Sequence, residues 1–122
     1  MYELKVIGQF SSAHRLRNYK GKCENLHGHN WKVEVSIASE MLDKTGLVID
    51  FSDIKMHLAH VLKPLDHAFL NDIAYFKKNN PTSEHIARYV FEHMKKRVQK
   101  NHLRIAKVTI WESDTACATY YE

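Results

Sequence analysis

Cysteine, proline and glycine are all scarce in this sequence of 122 residues, which holds two cysteines, two prolines and four glycines. Cys23 lies in a polar loop and Cys117 in a strand-like run, so the two do not suggest a disulfide framework. We therefore expect a reducing compartment. No apolar run approaches the length of a membrane span, and the first residues lack the basic and then apolar pattern of a signal peptide. We therefore predict a cytoplasmic protein without membrane contact, in which Cys117 is a small buried side chain.

The chain also lacks linkers, internal repeats and low-complexity segments. Hydrophobic residues make up 44% of it, which is enough to bury one core. We predict a single domain over residues 1–122. The formal net charge of +4 is modest, and no basic stripe interleaved with aromatic residues points to nucleic acid.

Histidine, by contrast, is abundant, with nine residues. His27 and His29 would point to the same side of an extended strand, because side chains alternate along it. His14 lies upstream, and antiparallel pairing of the two segments would bring three imidazoles together. Three histidines without a fourth protein ligand are the ligand set of a catalytic zinc site. His57 and His60 are the nearest rival, but two nitrogens alone make a weak site.

Cys23 lies four residues before His27 and has two open interpretations. It could close the metal site as a fourth ligand, or act as a base or nucleophile beside an open metal. A cluster of basic residues precedes it, which is either a solvated loop or a means to attract an anionic substrate and favour the thiolate. The cluster consists of Arg15, Arg17, Lys20 and Lys22.

Alternating apolar residues predict two long strands that meet at the histidines. The even positions from Tyr2 to His14 form one row, and the odd positions from His27 to Ile37 form the other. A helix is predicted from about Phe51 to Leu62, with Asp50 as its N-cap and Phe51 in its apolar stripe. The start signal Asn80-Pro81-Thr82-Ser83 predicts a second helix that runs to about Val98.

Two further strands are predicted, from about Arg104 to Glu112 and from Thr115 to Tyr121. Glu112 ends the apolar row of the first of them, which also contains Ala106, Val108 and Ile110. This carboxylate is either a solvated strand-end residue or an anchor for a nitrogen-rich ring, since such a ring can donate two parallel hydrogen bonds to it.

The segment from Leu65 to Asn71 is too short for a regular element. Its adjacent Asp66 and His67 are more typical of a turn than of a proton relay when taken alone. The order strand, strand, helix, helix, strand, strand predicts an α+β layer, namely a four-stranded antiparallel sheet with both helices on one face. Such a small sheet leaves its edges uncovered, and association of several copies would cover them.

The chain resembles the family of 6-pyruvoyl- and 6-carboxy-tetrahydropterin synthases over essentially its whole length. The three residues between Cys23 and His27 resemble the bacterial carboxy branch, which serves queuosine and 7-deazaguanine biosynthesis. His85 departs from the pattern, because asparagine is expected there. The motifs that carry the resemblance are Phe10-Ser11-Ser12-Ala13-His14, Cys23-x-x-x-His27-Gly28-His29, Leu65-Asp66-His67, Pro81-Thr82-Ser83-Glu84 and Trp111-Glu112.

The resemblance implies the tunnelling fold (T-fold), in which trimers close their sheets into a barrel and two trimers stack into a homohexamer with active sites between subunits. It also implies conversion of 7,8-dihydroneopterin triphosphate to 6-carboxy-5,6,7,8-tetrahydropterin, with loss of triphosphate and acetaldehyde. The implied site residues are His14, His27 and His29 as ligands of Zn2+, Cys23 as the proton-abstracting base, Asp66 with His67 as a relay, and Glu112 with Thr82 as pterin-binding residues.

Two alternatives stay open. One is the 6-pyruvoyl-tetrahydropterin synthase reaction, which removes triphosphate and keeps the carbon–carbon bond. The other is a non-catalytic zinc- or pterin-binding protein, against which Cys23, Asp66 and His67 argue because a pure binder needs none of them.

Overall fold

The predicted order of strands and helices is present in the computed structural model, which describes residues 1–20 and 24–122. Four elements are additional between the two long helices, namely a two-residue strand, a short α-helix and two 3-10 helices at Lys63–Leu65 and Leu70–Asp72. In chain order the strands and α-helices are β1 (Tyr2–His14), β2 (His27–Ser39), α1 (Phe51–Leu62), β3 (Ala68–Phe69), α2 (Ala74–Lys78), α3 (Ser83–Arg97), β4 (Arg104–Ser113) and β5 (Ala116–Tyr120).

Strands β1 and β2 form the long antiparallel pair that the two apolar rows predict. Tyr2 lies opposite Ser39 at one end, and His14 lies opposite His27 at the other. The inner face of this pair is buried at Val6, Phe10 and the alternating positions of β2 from Trp31 to Ile37, so the apolar period of two sets which face meets the core.

The long helices cover one face of the sheet. Helix α1 packs on β1, α3 packs on β4 and β5, and the two helices contact each other. Gly8 allows α1 to approach closely, because a Cβ atom at this position would lie 2.9 Å from the Cδ2 atom of Leu58. The core therefore lies between the inner face of the sheet and these two helices.

The sheet has five strands in the order β3-β1-β2-β4-β5, so the prediction of four antiparallel strands needs a correction. Strand β3 runs parallel to β1, with Ala68 opposite Ser12 and Phe69 opposite Ala13. Two residues are too few to show an alternating pattern in the sequence. Their strand conformation depends on pairing with the edge of β1, which is a tertiary contact.

Three predictions of burial are wrong. Phe51 begins α1 and is 51% exposed, although it was expected in the apolar stripe. A β-bulge between β2 and β4 places Ile105 in place of Ala106 on the buried face, opposite Ile37. Cys117 is exposed, because it pairs with Trp111 on the outer face of the edge strand β5.

Both long helices begin at the predicted caps. The Asp50 carboxylate accepts a hydrogen bond from the backbone N–H of Ser52, and the Thr82 hydroxyl accepts one from the backbone N–H of His85. Among the described residues, no helix is long and apolar enough to cross a membrane.

Candidate metal centre

Three histidines meet where β1 ends and β2 begins. His14 and His27 are register partners, and His29 faces the same side because it lies opposite Ser12. The Nε2 atoms of His14 and His27 are 3.0 Å apart. His14 is 1% exposed, whereas His27 and His29 are half-buried. The predicted convergence of the three imidazoles is therefore observed.

Backbone carbonyls set the tautomers of two of these rings. The Nδ1 atom of His14 donates to the Pro81 carbonyl at 2.7 Å, and that of His27 donates to the Asn25 carbonyl at 2.8 Å. A carbonyl can only accept, so each Nδ1 carries the proton and each neutral ring keeps a lone pair on Nε2. Both free lone pairs point into the cluster, as they do in metal-binding histidines that are oriented by a second partner.

Glu112 joins the histidines from β4. Its Oε1 atom lies 3.3 Å from the Nε2 atoms of both His14 and His29. The register between β4 and β5 shifts between Trp111 and Ser113, so Glu112 occupies a bulge. Glu112 follows Val108 and Ile110 on the inner face of β4, so its carboxylate faces the histidines.

Trp31 forms the floor of the cluster and is fully buried. The rings of His14 and His29 stand edge-on to it, with centroids 5.0 and 5.2 Å away. Burial lowers the pKa of His29, and the neighbouring His14 and His27 lower it further, while Glu112 acts in the opposite direction. The environment therefore favours the neutral imidazole, which is the form that binds a metal.

These groups fit a metal ion. One ligand atom from each of His14, His27, His29 and Glu112 lies within 4.8 Å of the other three. The Nε2 atom of His29 is buried and has no hydrogen-bond partner in residues 1–20 and 24–122, which is unfavourable unless another group binds it. A cation bound by the three nitrogens would satisfy this atom and separate the facing lone pairs of His14 and His27.

Asp66 and His67 dock on the edge of β1 and not in the histidine cluster. The backbone N–H of Ser11 donates to Asp66 Oδ1 at 2.9 Å, and the backbone N–H of His67 donates to the Ser11 carbonyl. His67 has a φ of 53°, and its side chain is 84% exposed, with Nε2 3.5 Å from Asp66 Oδ2. The pair lines a cleft of about 390 Å3 with Gln9 and Asn30, which belong to the outer face of the sheet. Within one chain, this cleft therefore opens on the face of the sheet opposite the histidines.

The remaining predicted site residues have different positions. Thr82 is half-buried, and its hydroxyl caps α3. Cys23 lies outside the described residues. His85 uses Nδ1 to donate to the Asn80 carbonyl at 2.7 Å, and so contributes to the start of α3. Trp31 and the Pro81 carbonyl support the cluster but were not predicted, because a period of two identifies Trp31 only as a core residue and gives no sign of a contact to Pro81.

A sequence profile of the 6-pyruvoyl tetrahydropterin synthase family matches residues 3–122. The chain belongs to this family. It is 34% identical to a 6-carboxy-5,6,7,8-tetrahydropterin synthase of Haemophilus influenzae, over the full length of both chains. It is also 34% identical to the 6-pyruvoyl tetrahydrobiopterin synthase of Homo sapiens, over 91% of this chain and 85% of the relative.

A solved structure of 6-pyruvoyl tetrahydropterin synthase from Caenorhabditis elegans superposes with a TM-score of 0.88. It is 33% identical, and the match covers 99% of this chain and 95% of the other. The fold is the tunnelling fold of this family, as the sequence motifs indicated, and the short strand β3 is additional to the four strands that were predicted.

Proposed function

We propose that this family member is a zinc-dependent 6-carboxy-5,6,7,8-tetrahydropterin synthase of queuosine biosynthesis. It would convert 7,8-dihydroneopterin triphosphate to 6-carboxy-tetrahydropterin, acetaldehyde and triphosphate, and the atom count requires one water to be consumed. The observation that carries the proposal is the convergence of His14, His27 and His29, in which His14 and His27 keep their lone pairs on Nε2. Relatives named as 6-carboxy-tetrahydropterin synthases, with 34% and 37% identity, support this branch.

Zinc would be held by the three histidines, leaving a position open for substrate oxygens. When bound, a zinc ion acts as a Lewis acid on such oxygens and eases removal of carbon-bound protons next to them. Glu112 would accept hydrogen bonds from the amide-like nitrogen and the exocyclic amine of the pterin, with Thr82 as a neighbour of the ring. Because Glu112 lies beside the histidines, the bound ring would lie next to the metal.

Cys23 would abstract the proton as a thiolate, and His67, paired with Asp66, would receive or return it. Asp66 and His67 open on the outer face of the sheet, and the histidine cluster is on the inner face. We therefore propose that they act on the site of a neighbouring copy in a hexamer built from two trimers. This arrangement would explain why a pair so exposed in one chain carries an acid next to an imidazole.

The phosphate tail would be attracted by the basic residues after β1. Arg15 and Lys20 are exposed. Arg17 is less available, because its Nη2 atom donates to the Phe76 carbonyl in α2 at 2.6 Å. We propose Arg15 and Lys20 as the phosphate contacts on the basis of their charge.

The same fold could instead make 6-pyruvoyl-tetrahydropterin, and the C. elegans structure and the human relative favour this second candidate. The test is to incubate the zinc-loaded protein with 7,8-dihydroneopterin triphosphate and to identify the products by mass spectrometry. Release of acetaldehyde with 6-carboxy-tetrahydropterin supports the proposal. Triphosphate release without acetaldehyde supports the pyruvoyl reaction, and binding without turnover supports a non-catalytic role. The His29→Ala variant is the matched control for turnover without the metal.

A further inference from the structure

Two asparagine side chains pair with the backbone that follows β1. Asn71 accepts from the Arg15 N–H at 3.0 Å and donates to the Arg15 carbonyl at 2.8 Å. Asn80 does the same to Arg17, at 2.8 and 2.9 Å. Each side-chain amide offers one acceptor and a donor, as a peptide group does, so each replaces one residue of a neighbouring strand.

Leu16, which lies between Arg15 and Arg17, forms its backbone hydrogen bonds on the other side of the segment, with Glu24. The Leu16 N–H donates to the Glu24 carboxylate at 3.2 Å, and the Glu24 N–H donates to the Leu16 carbonyl at 3.0 Å. The same Glu24 oxygen lies 3.7 Å from His27 Nε2, at the histidine cluster. Residues 15–17 are therefore fixed from both sides, by the two asparagines on one and by Glu24 on the other.

The asparagines continue a pairing that the short strand begins. Strand β3 pairs with β1 at Ser12 and Ala13 and ends at Phe69. Beyond it, Asn71 and Asn80 provide the hydrogen bonds that a longer strand would have provided. The guanidinium of Arg17 also donates to the Phe76 carbonyl. With the four bonds of Asn71 and Asn80, five hydrogen bonds to residues 71–80 hold Arg15 and Arg17 on this side.

We propose that Asn71 and Asn80 are positioning residues for the reaction of this protein. They hold the backbone N–H and carbonyl groups of Arg15 and Arg17, and through Leu16 they fix Glu24 beside His27. This inference rests on the proposed function only for its effect on turnover. A shift of about 1 Å in a group next to reacting atoms can reduce turnover by about a hundredfold, so a fixed segment at this position has a catalytic consequence.

The test uses the zinc-loaded double variant Asn71→Ala/Asn80→Ala, with the two single variants. We expect kcat on 7,8-dihydroneopterin triphosphate to fall by at least about tenfold while KM stays within about threefold. Zinc content should not change. Residue-resolved amide hydrogen exchange should accelerate by at least about tenfold at Leu16 and Glu24, which neither asparagine touches, because their pairing depends on the fixed neighbours.

Asn79→Ala is the matched control. Asn79 is also half-buried and also donates its side-chain amide to a backbone carbonyl, that of Tyr75 at 3.0 Å, but it does not bind the segment after β1. It should leave kcat and exchange at Leu16 and Glu24 unchanged. The proposal is overturned if exchange accelerates only at Arg15 and Arg17, if kcat is retained, or if zinc is lost with it, since the last result means a general structural role. If the wild-type protein does not turn over this substrate, the proposed function fails, and exchange at Leu16 and Glu24 alone decides the proposal.

Discussion

His14 and His27 face each other through their Nε2 atoms at 3.0 Å, while the Nδ1 atoms of both rings donate to backbone carbonyls. Two neutral rings fixed in this way present two acceptors to each other, which is unfavourable without a proton or a cation between them. The arrangement is favourable when both lone pairs bind one metal ion.

His27→Ala and His29→Ala should each lose tightly bound zinc while the fold survives. Both side chains are only half-buried and lie at the end of the apolar row, so their removal leaves the core intact. His14→Ala should lose zinc and also stability, because that ring is buried on Trp31 and bound to Pro81. Metal analysis and circular dichroism measure the two effects.

The control for these variants is His102→Ala, which removes an exposed histidine remote from the cluster in the sequence. It should keep its zinc. Full zinc content in the His27 or His29 variant would disprove the three-histidine assignment.

The histidine cluster could be predicted from the sequence because it depends only on alternation along two strands and on the antiparallel pairing of those strands. The alternation along each strand gives the face of His27 and His29, and antiparallel pairing brings His14 to them. The same alternation correctly placed Glu112 at the end of an apolar row. Its contact with the histidines depends on the pairing of β4 with β2, in which Ile110 lies opposite Val33, and no period in the sequence reveals which strands pair.

Contacts between distant segments were not predictable. Asn71 and Asn80 are ordinary turn and cap residues by sequence, and their pairing with Arg15 and Arg17 spans 56 and 63 positions. The exposure of Cys117 has a similar origin, because an apolar period does not distinguish an edge strand with an uncovered face from a central one.

Cys23→Ala should keep its zinc and its affinity for the pterin but lose turnover, because we assign the thiol to proton abstraction. Zinc content, a binding titration and product formation measure the three properties. Cys117→Ala, which removes the exposed thiol of β5, is the control and should stay active. Loss of zinc from the Cys23 variant would instead identify the thiol as a fourth ligand of a closed site.

Mixing two inactive variants tests whether the site is shared between copies. When Cys23→Ala and His67→Ala chains are co-expressed in equal amounts, random assembly should leave both groups intact at about a quarter of the sites between copies. We therefore expect about a quarter of the wild-type turnover, with kcat measured on the purified mixed assemblies. A site formed within one chain would give no recovery, since every chain lacks one of the two groups.

Stability should decrease below neutral pH through His57. Burial lowers the pKa of His57, and the guanidinium of Arg97, whose Nε donates to His57 Nδ1 at 3.2 Å, lowers it further. The unfolded chain then takes up the proton first as the pH falls below about 6.5, so the free energy of unfolding declines until the folded pKa is passed. Urea unfolding at pH 8 and pH 5 should show a smaller decline for His57→Gln, which can still accept from Arg97 but does not titrate.

His102→Gln, which removes an exposed histidine that does not act on the pKa of His57, is the control for this measurement and should decline as the wild type does. Protonation of the zinc ligands contributes to the pH dependence of every variant alike, so the difference between variants isolates His57. An equal decline in wild type and His57→Gln would show that the contact with Arg97 has no linkage to folding.

Glu112→Gln should weaken binding of the pterin ring and leave the zinc content unchanged. The amide keeps the shape of the side chain but replaces one acceptor oxygen with a donor, which opposes a donor of the ring. Such a mismatch in a half-buried site costs on the order of 2 kcal/mol or more, which corresponds to about a thirtyfold rise in the dissociation constant. Titration with a pterin that lacks the phosphate tail isolates this contact from the basic residues after β1.

The zinc content of Glu112→Gln also tests whether the carboxylate binds the metal. Glu112 Oε1 lies as close to His14 and His29 as a ligand oxygen would lie to its neighbours in a metal site. Three histidine nitrogens are sufficient for a catalytic zinc site, so zinc should be retained in Glu112→Gln. Loss of zinc with unaltered pterin affinity would mean that the carboxylate is a metal ligand, and the ring would then need a different anchor. Unaltered affinity with full zinc would leave Glu112 as a strand-end residue without a role in recognition.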